Sequence, residues 1–116
     1  WLAGQADLHQ AIQGAEDLPL VLLAHTPTTI EAVVARPEWR SRVSLVLSGH
    51  THGGQIRLPK LGSPWLPKGT GAYVSGWYCV EGIPLFVNRG VGWSLVPVRM
   101  WSPPEFAMIE LVPKSA

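Results

Sequence analysis

Two aliphatic runs, Leu18 to Ala24 and Val43 to Leu47, constrain the fold of this chain more than any other feature. Each is nearly continuous in apolar residues and too short for a good helix, the pattern of a strand buried on both faces. Between them, Thr26-Pro27-Thr28-Thr29 starts a helix with Pro27 near its first turn, and Ile30, Val33 and Val34 form its apolar stripe. Strand, helix and strand over about 30 residues make a βαβ unit, whose strands are parallel neighbours. Parallel neighbours end on the same side of a sheet. His25 follows the first run directly, and His50 and His52 follow the second. The three histidines are therefore expected to converge at the strands' carboxyl ends, where open α/β sheets hold ligands.

The flanking segments extend this unit. Leu8, Ala11 and Ile12 have helical spacing, with Asp7 as N-cap and Gly14 as stop. Residues 57–72, rich in Pro, Gly and Lys, form a long loop. Tyr73–Val80 and Pro84–Asn88 read as a hairpin around Glu81-Gly82. Phe106–Val112 reads as a last strand after the Pro103-Pro104 turn, with Lys114-Ser115-Ala116 as the end of the chain. The fold class is α/β bordering on α+β: one βαβ unit followed by a mostly antiparallel strand region.

Composition narrows the function. A chain of 116 residues, 47% hydrophobic and 15% charged, is globular and long enough for one domain with a core. A net charge of +1 makes no electrostatic case for nucleic acid as the main partner. No stretch approaches the ~18 apolar residues of a membrane helix, and no leader peptide is expected among these residues. The chain opens on Trp1 rather than Met, as a segment of something longer would. Its one cysteine, Cys79, allows no internal disulfide, and Tyr78-Cys79-Val80 reads as a strand interior with a small buried apolar residue.

The chemistry lies in Gly49-His50-Thr51-His52-Gly53-Gly54-Gln55. Neutral imidazole binds zinc, manganese and iron, and the glycines let the backbone turn sharply beside an ion. A His-x-His pair can aim its rings at two positions, which suits two adjacent metals; such pairs of ions clamp the attacking and leaving oxygens of an in-line displacement. Three histidines plus water also match a one-metal catalytic zinc site. Carboxylates are scarce, Asp7 and Asp17 being the only aspartates. Asp7-Leu8-His9 has the form of an Asp-x-His ligand pair, but no hydrophobic strand precedes it and a helix pattern follows. It reads as a capped helix with an exposed His9.

Leu22-Leu23-Ala24-His25-Thr26-Pro27, followed by the glycine-histidine motif at 49–55, closely resembles the C-terminal half of calcineurin-like metallophosphoesterases. With Val87-Asn88-Arg89-Gly90-Val91-Gly92 and Pro97-Val98-Arg99, it looks like the bacterial branch of membrane-associated phosphodiesterases, some of which act on cell-envelope lipid precursors. The resemblance covers nearly the whole chain. It implies that residues 1–116 are the C-terminal portion of one domain, a four-layer αββα sandwich whose N-terminal half is absent. It also implies two divalent metal ions (Mn, Zn or Fe) in the intact protein, with His25 and His50 on one and His52 on the other. Thr51, Gly53 and Gly54 would shape the loop. The family's Asp-x-His, Gly-Asp-x-x-Asp and Gly-Asn-His-Asp motifs, which supply the bridging Asp, an Asn ligand and the catalytic His, are missing. No catalytic residue is assigned here, and the segment alone is expected to be inactive. The partners implied are a phosphoester small molecule or a lipid-linked substrate, a membrane surface, and the N-terminal half of the domain, with any membrane or export segment upstream of Trp1.

Three further residues are candidates for substrate binding. Arg89 can grip a phosphate bidentately with glycine N–H groups beside it, and Asn88 precedes it; both fit a plain glycine turn equally well. Gln55, like Arg57, lies just past the metal loop, within reach of substrate or equally at the start of the next strand. Among the tryptophans, Trp65 reads either as an ordinary surface residue or as an apolar rim for an acyl chain or membrane, Trp77 and Trp93 as packing in the core or hairpin, and Trp39 as packing beside the second helix. The leading reading is part of a hydrolase in which metal-activated hydroxide attacks phosphorus. The alternatives are a non-catalytic metal-binding or interaction module, and the one-metal zinc site. A sheet without its partner strands exposes edges and an apolar face, so the isolated segment is expected to be marginally stable or to aggregate.

Overall fold

The structure, a computed structural model, describes residues 7–15 and 17–113. The expected end at Lys114-Ser115-Ala116 and the Trp1 start lie outside the described residues. Helix α1 (Leu8–Ile12) is capped by the Asp7 carboxylate, which accepts from the His9 and Gln10 N–H groups. Strand β1 (Leu20–Ala24) leads into α2 (Thr29–Val34), which buries Ile30 and Val33. Helix α2 ends because Arg36 precedes Pro37: steric clash with the proline ring excludes the helical region there, and Arg36 is extended at φ −119°. Pro37 then opens a one-turn helix, α3 (Pro37–Arg40), that the apolar pattern did not reveal. Strand β2 (Val43–Ser48) follows, and the hairpin β3 (Gly76–Val80) and β4 (Ile83–Val87) closes the sheet.

The strand order is β1-β2-β4-β3. β1, β2 and β4 run parallel, and β3 is antiparallel to β4. The βαβ unit is as expected, and the expected hairpin turns at Glu81-Gly82. Both turn residues have positive φ (50° and 86°), the two-residue geometry that matches the twist of the flanking strands.

The sheet has one closed face. Val43, Val46, Ile83, Leu85 and Val87 pack against Ile12, Ile30, Val33 and Trp39 of the helices. Trp39 sits beside α2 as expected, with the Arg36 guanidinium 4.1 Å from its ring centroid. The opposite face is uncovered at its margins. Leu45 and Phe86 are buried at its centre, while Leu23 is 76% exposed and Val21 is also exposed. Strand β1 is therefore buried on one face rather than two, because it is an edge strand and no second layer lies over it among the described residues. The same edge effect exposes Cys79, expected to be buried: it lies on β3, at the other edge, and faces the uncovered side. Trp77, next to it on that face, packs on Phe86 at 4.9 Å, so its hairpin role stands although it is exposed. Trp93 is exposed and is not a core residue.

Phe106–Val112 forms no strand. Its alternation has nothing to pair with: Phe106 is 92% and Met108 100% exposed, and a lone extended segment without ladder partners stays irregular. Among the described residues no helix is long and apolar enough to cross a membrane.

Candidate metal centre

Ala24, Ser48 and Val87, the last residues of β1, β2 and β4, lie side by side in register. The segments that follow them start at one edge of the sheet: His25 after β1, Gly49-His50 after β2, Asn88-Arg89 after β4. The Ser48 hydroxyl donates to the His25 carbonyl at 3.1 Å, and the Asn88 N–H to the Ser48 carbonyl at 2.8 Å, which ties the three exits together. The His25 and His50 rings meet edge to face with centroids 4.6 Å apart. His50 Nε2 lies 2.7 Å from the Lys68 carbonyl. A carbonyl only accepts, so Nε2 carries the hydrogen and Nδ1 keeps its lone pair. Metal-binding histidines are held in this way, by a backbone carbonyl on the other ring nitrogen.

His52 follows in a single 3-10 turn (His52–Gly54) that the Thr51 hydroxyl caps by accepting from the Gly53 N–H. The loop is strained. His50, His52 and Gln55 all have positive φ (70°, 51° and 45°), a region that costs side-chain-bearing residues ~1–2 kcal/mol each. Surrounding contacts hold it. The Thr51 hydroxyl donates to the Val74 carbonyl at 2.7 Å, and the Ser102 hydroxyl reaches the carbonyls of His52 and Gly53 at 2.9 and 3.1 Å. Gly53 is required for space as well as for its φ of 61°: a Cβ there would stand 2.5 Å from Ser102 Oγ.

The His52 imidazole is held below the usual histidine pKa, first by burial, then by the positive charge of Arg99, with smaller contributions from His50 and His25; the Gly92 backbone opposes the shift. It is thereby biased to the neutral form a metal requires. Its Nδ1 is buried and has no hydrogen-bond partner among the described residues. A buried imidazole nitrogen without a partner fits a metal ligand better than a satisfied histidine does. The set is incomplete: among the described residues no group of three or more His, Cys, Asp or Glu side chains comes together to hold an ion. The geometry therefore brings His25 and His50 into contact and leaves His52 apart from that pair, which argues against one zinc held by all three. His9 sits in the capped helix α1.

The structure gives the substrate-binding candidates specific partners. Asn88 Oδ1 accepts from the Gly90 N–H at 2.6 Å, forming an Asx turn. Arg89 pairs with Glu105, one Nη2–H donating at 3.2 Å while its backbone N–H donates to the other carboxylate oxygen at 2.9 Å. The Gln55 amide is engaged by the backbone of residues 94–96: Nε2 donates to the Ser94 and Val96 carbonyls at 3.0 and 2.9 Å, and Oε1 accepts from the Ser94 N–H at 2.7 Å. Arg57 is exposed, its N–H bonded to the Met100 carbonyl.

Sequence reasoning missed the residue that organises this region. The Arg99 guanidinium donates to the carbonyls of His52, Arg89, Gly92 and Ser102. A planar fork of five N–H donors is the side chain suited to collecting several carbonyls at once. The available signal was an arginine standing alone in an apolar stretch, Val96 to Met100.

No protein-family model matches the chain, and no solved structure does. Curated proteins do match it. It is 41% identical over 96 residues to Phosphodiesterase YaeI of Escherichia coli, which covers 83% of this chain and 33% of that protein. It is 37% identical over 91 residues to the uncharacterized metallophosphoesterase YkuE of Bacillus subtilis (78% of this chain, 30% of that protein). A bovine transmembrane protein with metallophosphoesterase domain is 34% identical over 113 residues (90% of this chain, 22% of that protein). The chain thus spans about a third or less of the length of these relatives, in their C-terminal part.

Proposed function

We propose that this chain, which belongs to the metallophosphoesterase family, is the C-terminal portion of a single metal-dependent phosphoester hydrolase domain and supplies about half of a two-metal site. The observation that carries this reading is the His25–His50 pair at the parallel strand ends, with the Lys68 carbonyl fixing the His50 tautomer. His25 and His50 would hold one divalent ion, of Mn, Zn or Fe, and His52 would hold the other through its unpartnered Nδ1. When bound, such ions supply Lewis acidity toward phosphoryl oxygen and lower the pKa of water to about 7.

The chain's own residues position and exclude. Lys68 orients His50, Thr51 and Ser102 fix the loop, and burial beside Arg99 keeps His52 neutral. In this reading the Arg89 guanidinium, steadied by its Nη2 bond to Glu105, would meet a phosphate. The remaining ligands and the group that protonates the leaving oxygen belong, in this reading, to the N-terminal half of the domain. The reaction is hydrolysis of a phosphodiester or pyrophosphate, and its finer form is action on a cell-envelope lipid precursor.

Expressing the chain together with the coding sequence that precedes Trp1 tests the proposal. The expected result is divalent-metal-dependent hydrolysis of bis(p-nitrophenyl) phosphate, two ions per chain by elemental analysis, and a drop of about 100-fold or more in His50→Ala. Metal binding without turnover would instead support the non-catalytic module.

A further inference from the structure

A cleft of ≈ 160 Å³ opens beside His52. Ile56, Pro64, Trp65, Pro67, Leu95 and Val96 line it, together with Thr51 and His52. We propose that this cleft is a subsite for a short apolar group carried on the substrate's phosphate; the proposal rests on the phosphohydrolase reading of His52.

Three observations converge. First, position: His52, proposed to hold an ion, also lines the cleft, so a group seated there lies next to the proposed phosphate site. Second, chemistry: the one amide at the cleft, Gln55, has its donors and its oxygen taken up by the 94–96 backbone. Apart from the Ser94 hydroxyl, the walls thus offer carbon surface and little free hydrogen-bonding capacity, which suits an alkyl or aryl group and not a sugar or nucleoside. Third, construction: Leu95 is 74% exposed and sits at φ 66°, a conformation a leucine side chain disfavours. It is held there by the Gln55 bonds on either side and by tight Val96-to-Ser94 and Val98-to-Val96 backbone bonds of 2.8 Å each. A loop tip tied this firmly around an exposed apolar residue presents that residue as a wall. Trp65, 64% exposed on the opposite loop, is the second wall. The size sets the class of occupant. Pockets for whole small molecules run to ~300–1,000 Å³, so this one takes part of a ligand, a chain of a few carbons or one ring.

The test uses methyl, propyl, pentyl and decyl phosphate as probes, with binding measured calorimetrically on the protein expressed for the activity experiment, in Mn²⁺ and in EDTA. The expected result is an affinity that rises about two- to fourfold per added methylene from methyl to pentyl and then levels off. Leu95→Asn is the informative variant. Asparagine tolerates the left-handed backbone, so the loop keeps its shape while the apolar wall is lost. The variant should bind methyl phosphate as the parent does, with the chain-length dependence flattened. Trp65→Ala should flatten it as well, and it alters only an exposed side chain.

An affinity independent of chain length in the parent protein overturns the proposal, and is what a cleft covered by another part of the chain would give. A rise that continues undiminished to decyl phosphate, matched by binding to neutral lipid vesicles, overturns it in favour of a membrane surface. The phosphohydrolase reading fails separately, by methyl phosphate binding equally with and without Mn²⁺. A chain-length dependence surviving in that case would leave the apolar subsite standing without the metal.

Discussion

The sheet and the segment after it, residues 88–113, are held by opposite means. In the sheet, the residues that matter are Val46, Leu85 and Val87, fully buried against the helices. Residues 88–113 contain no helix or strand, and most of their large apolar side chains face outward. They are fixed instead by polar side chains reaching backbone groups: Arg99 to four carbonyls, Ser102 to two, Gln55 to both sides of Leu95, and Glu105 to Arg89. Apolar burial is non-directional and sums over area, so it sets the fold. Hydrogen bonds are directional and short, so they set where a loop lies to within an ångström. The strands carry the histidines to one edge, and the polar ties place the walls around them.

The largest effect is expected where burial acts alone. Leu85→Ala removes a fully buried side chain from the central strand β4 and should destabilise the protein by about 2–5 kcal/mol. That is a large share of the ~5–15 kcal/mol of an ordinary domain. Thermal or urea unfolding of the protein carrying this chain should show the whole transition shifting, with strand amides and 88–113 losing protection together. Survival of the sheet would mean that the closed face is held by something other than this core.

An intermediate effect, confined to one region, is expected at Arg99. Arg99→Lys keeps the charge but replaces the fork by a single ammonium, so several carbonyls lose their donor. A loss of about 2–3 kcal/mol is expected locally. Hydrogen exchange should accelerate in residues 89–102 and in the His52 turn, while β2 and β4 stay protected. Equal acceleration in the sheet would erase the distinction between the two regions.

That distinction also explains what the amino-acid sequence disclosed. The βαβ unit was legible because Leu20–Ala24, Ile30, Val33 and Val43–Leu47 carry their own periodicity, and the meeting of His25 with His50 at the strand ends followed from it, whereas the expected convergence of His52 with them did not. Burial was less legible, because it depends on neighbours. Cys79 and Leu23 are strand residues as expected, yet they are exposed since their strands lie at the sheet's edges. Phe106–Val112 has a strand's alternation and no strand to pair with. Helix α3 is a single turn, too short for a periodic signal, and only Pro37 marks it. Arg99 was read as part of a motif with no role of its own, because its partners lie up to 47 residues away in the chain. Polar ties of that range have no sequence period.

The smallest effect is a pH dependence that should touch one region and not the other. The Arg89 backbone N–H, and after it the Arg89 guanidinium, hold the Glu105 carboxyl below its ordinary value of 4.5, against the opposing pull of burial. A carboxylate whose folded pKa is depressed contributes stability that is complete above the unfolded pKa and is lost as pH falls through the folded one. Acidification from pH 5 through the region below 4.5 should therefore loosen the Arg89–Glu105 junction, read as faster exchange of the Arg89 and Glu105 amides. The amides of β2, whose core contacts are apolar, should not respond over the same range. In Glu105→Gln the exchange should already be raised at pH 7 and should no longer change with acid. If the variant keeps the parent's acid response, another carboxylate controls the segment and Glu105 is a bystander to it.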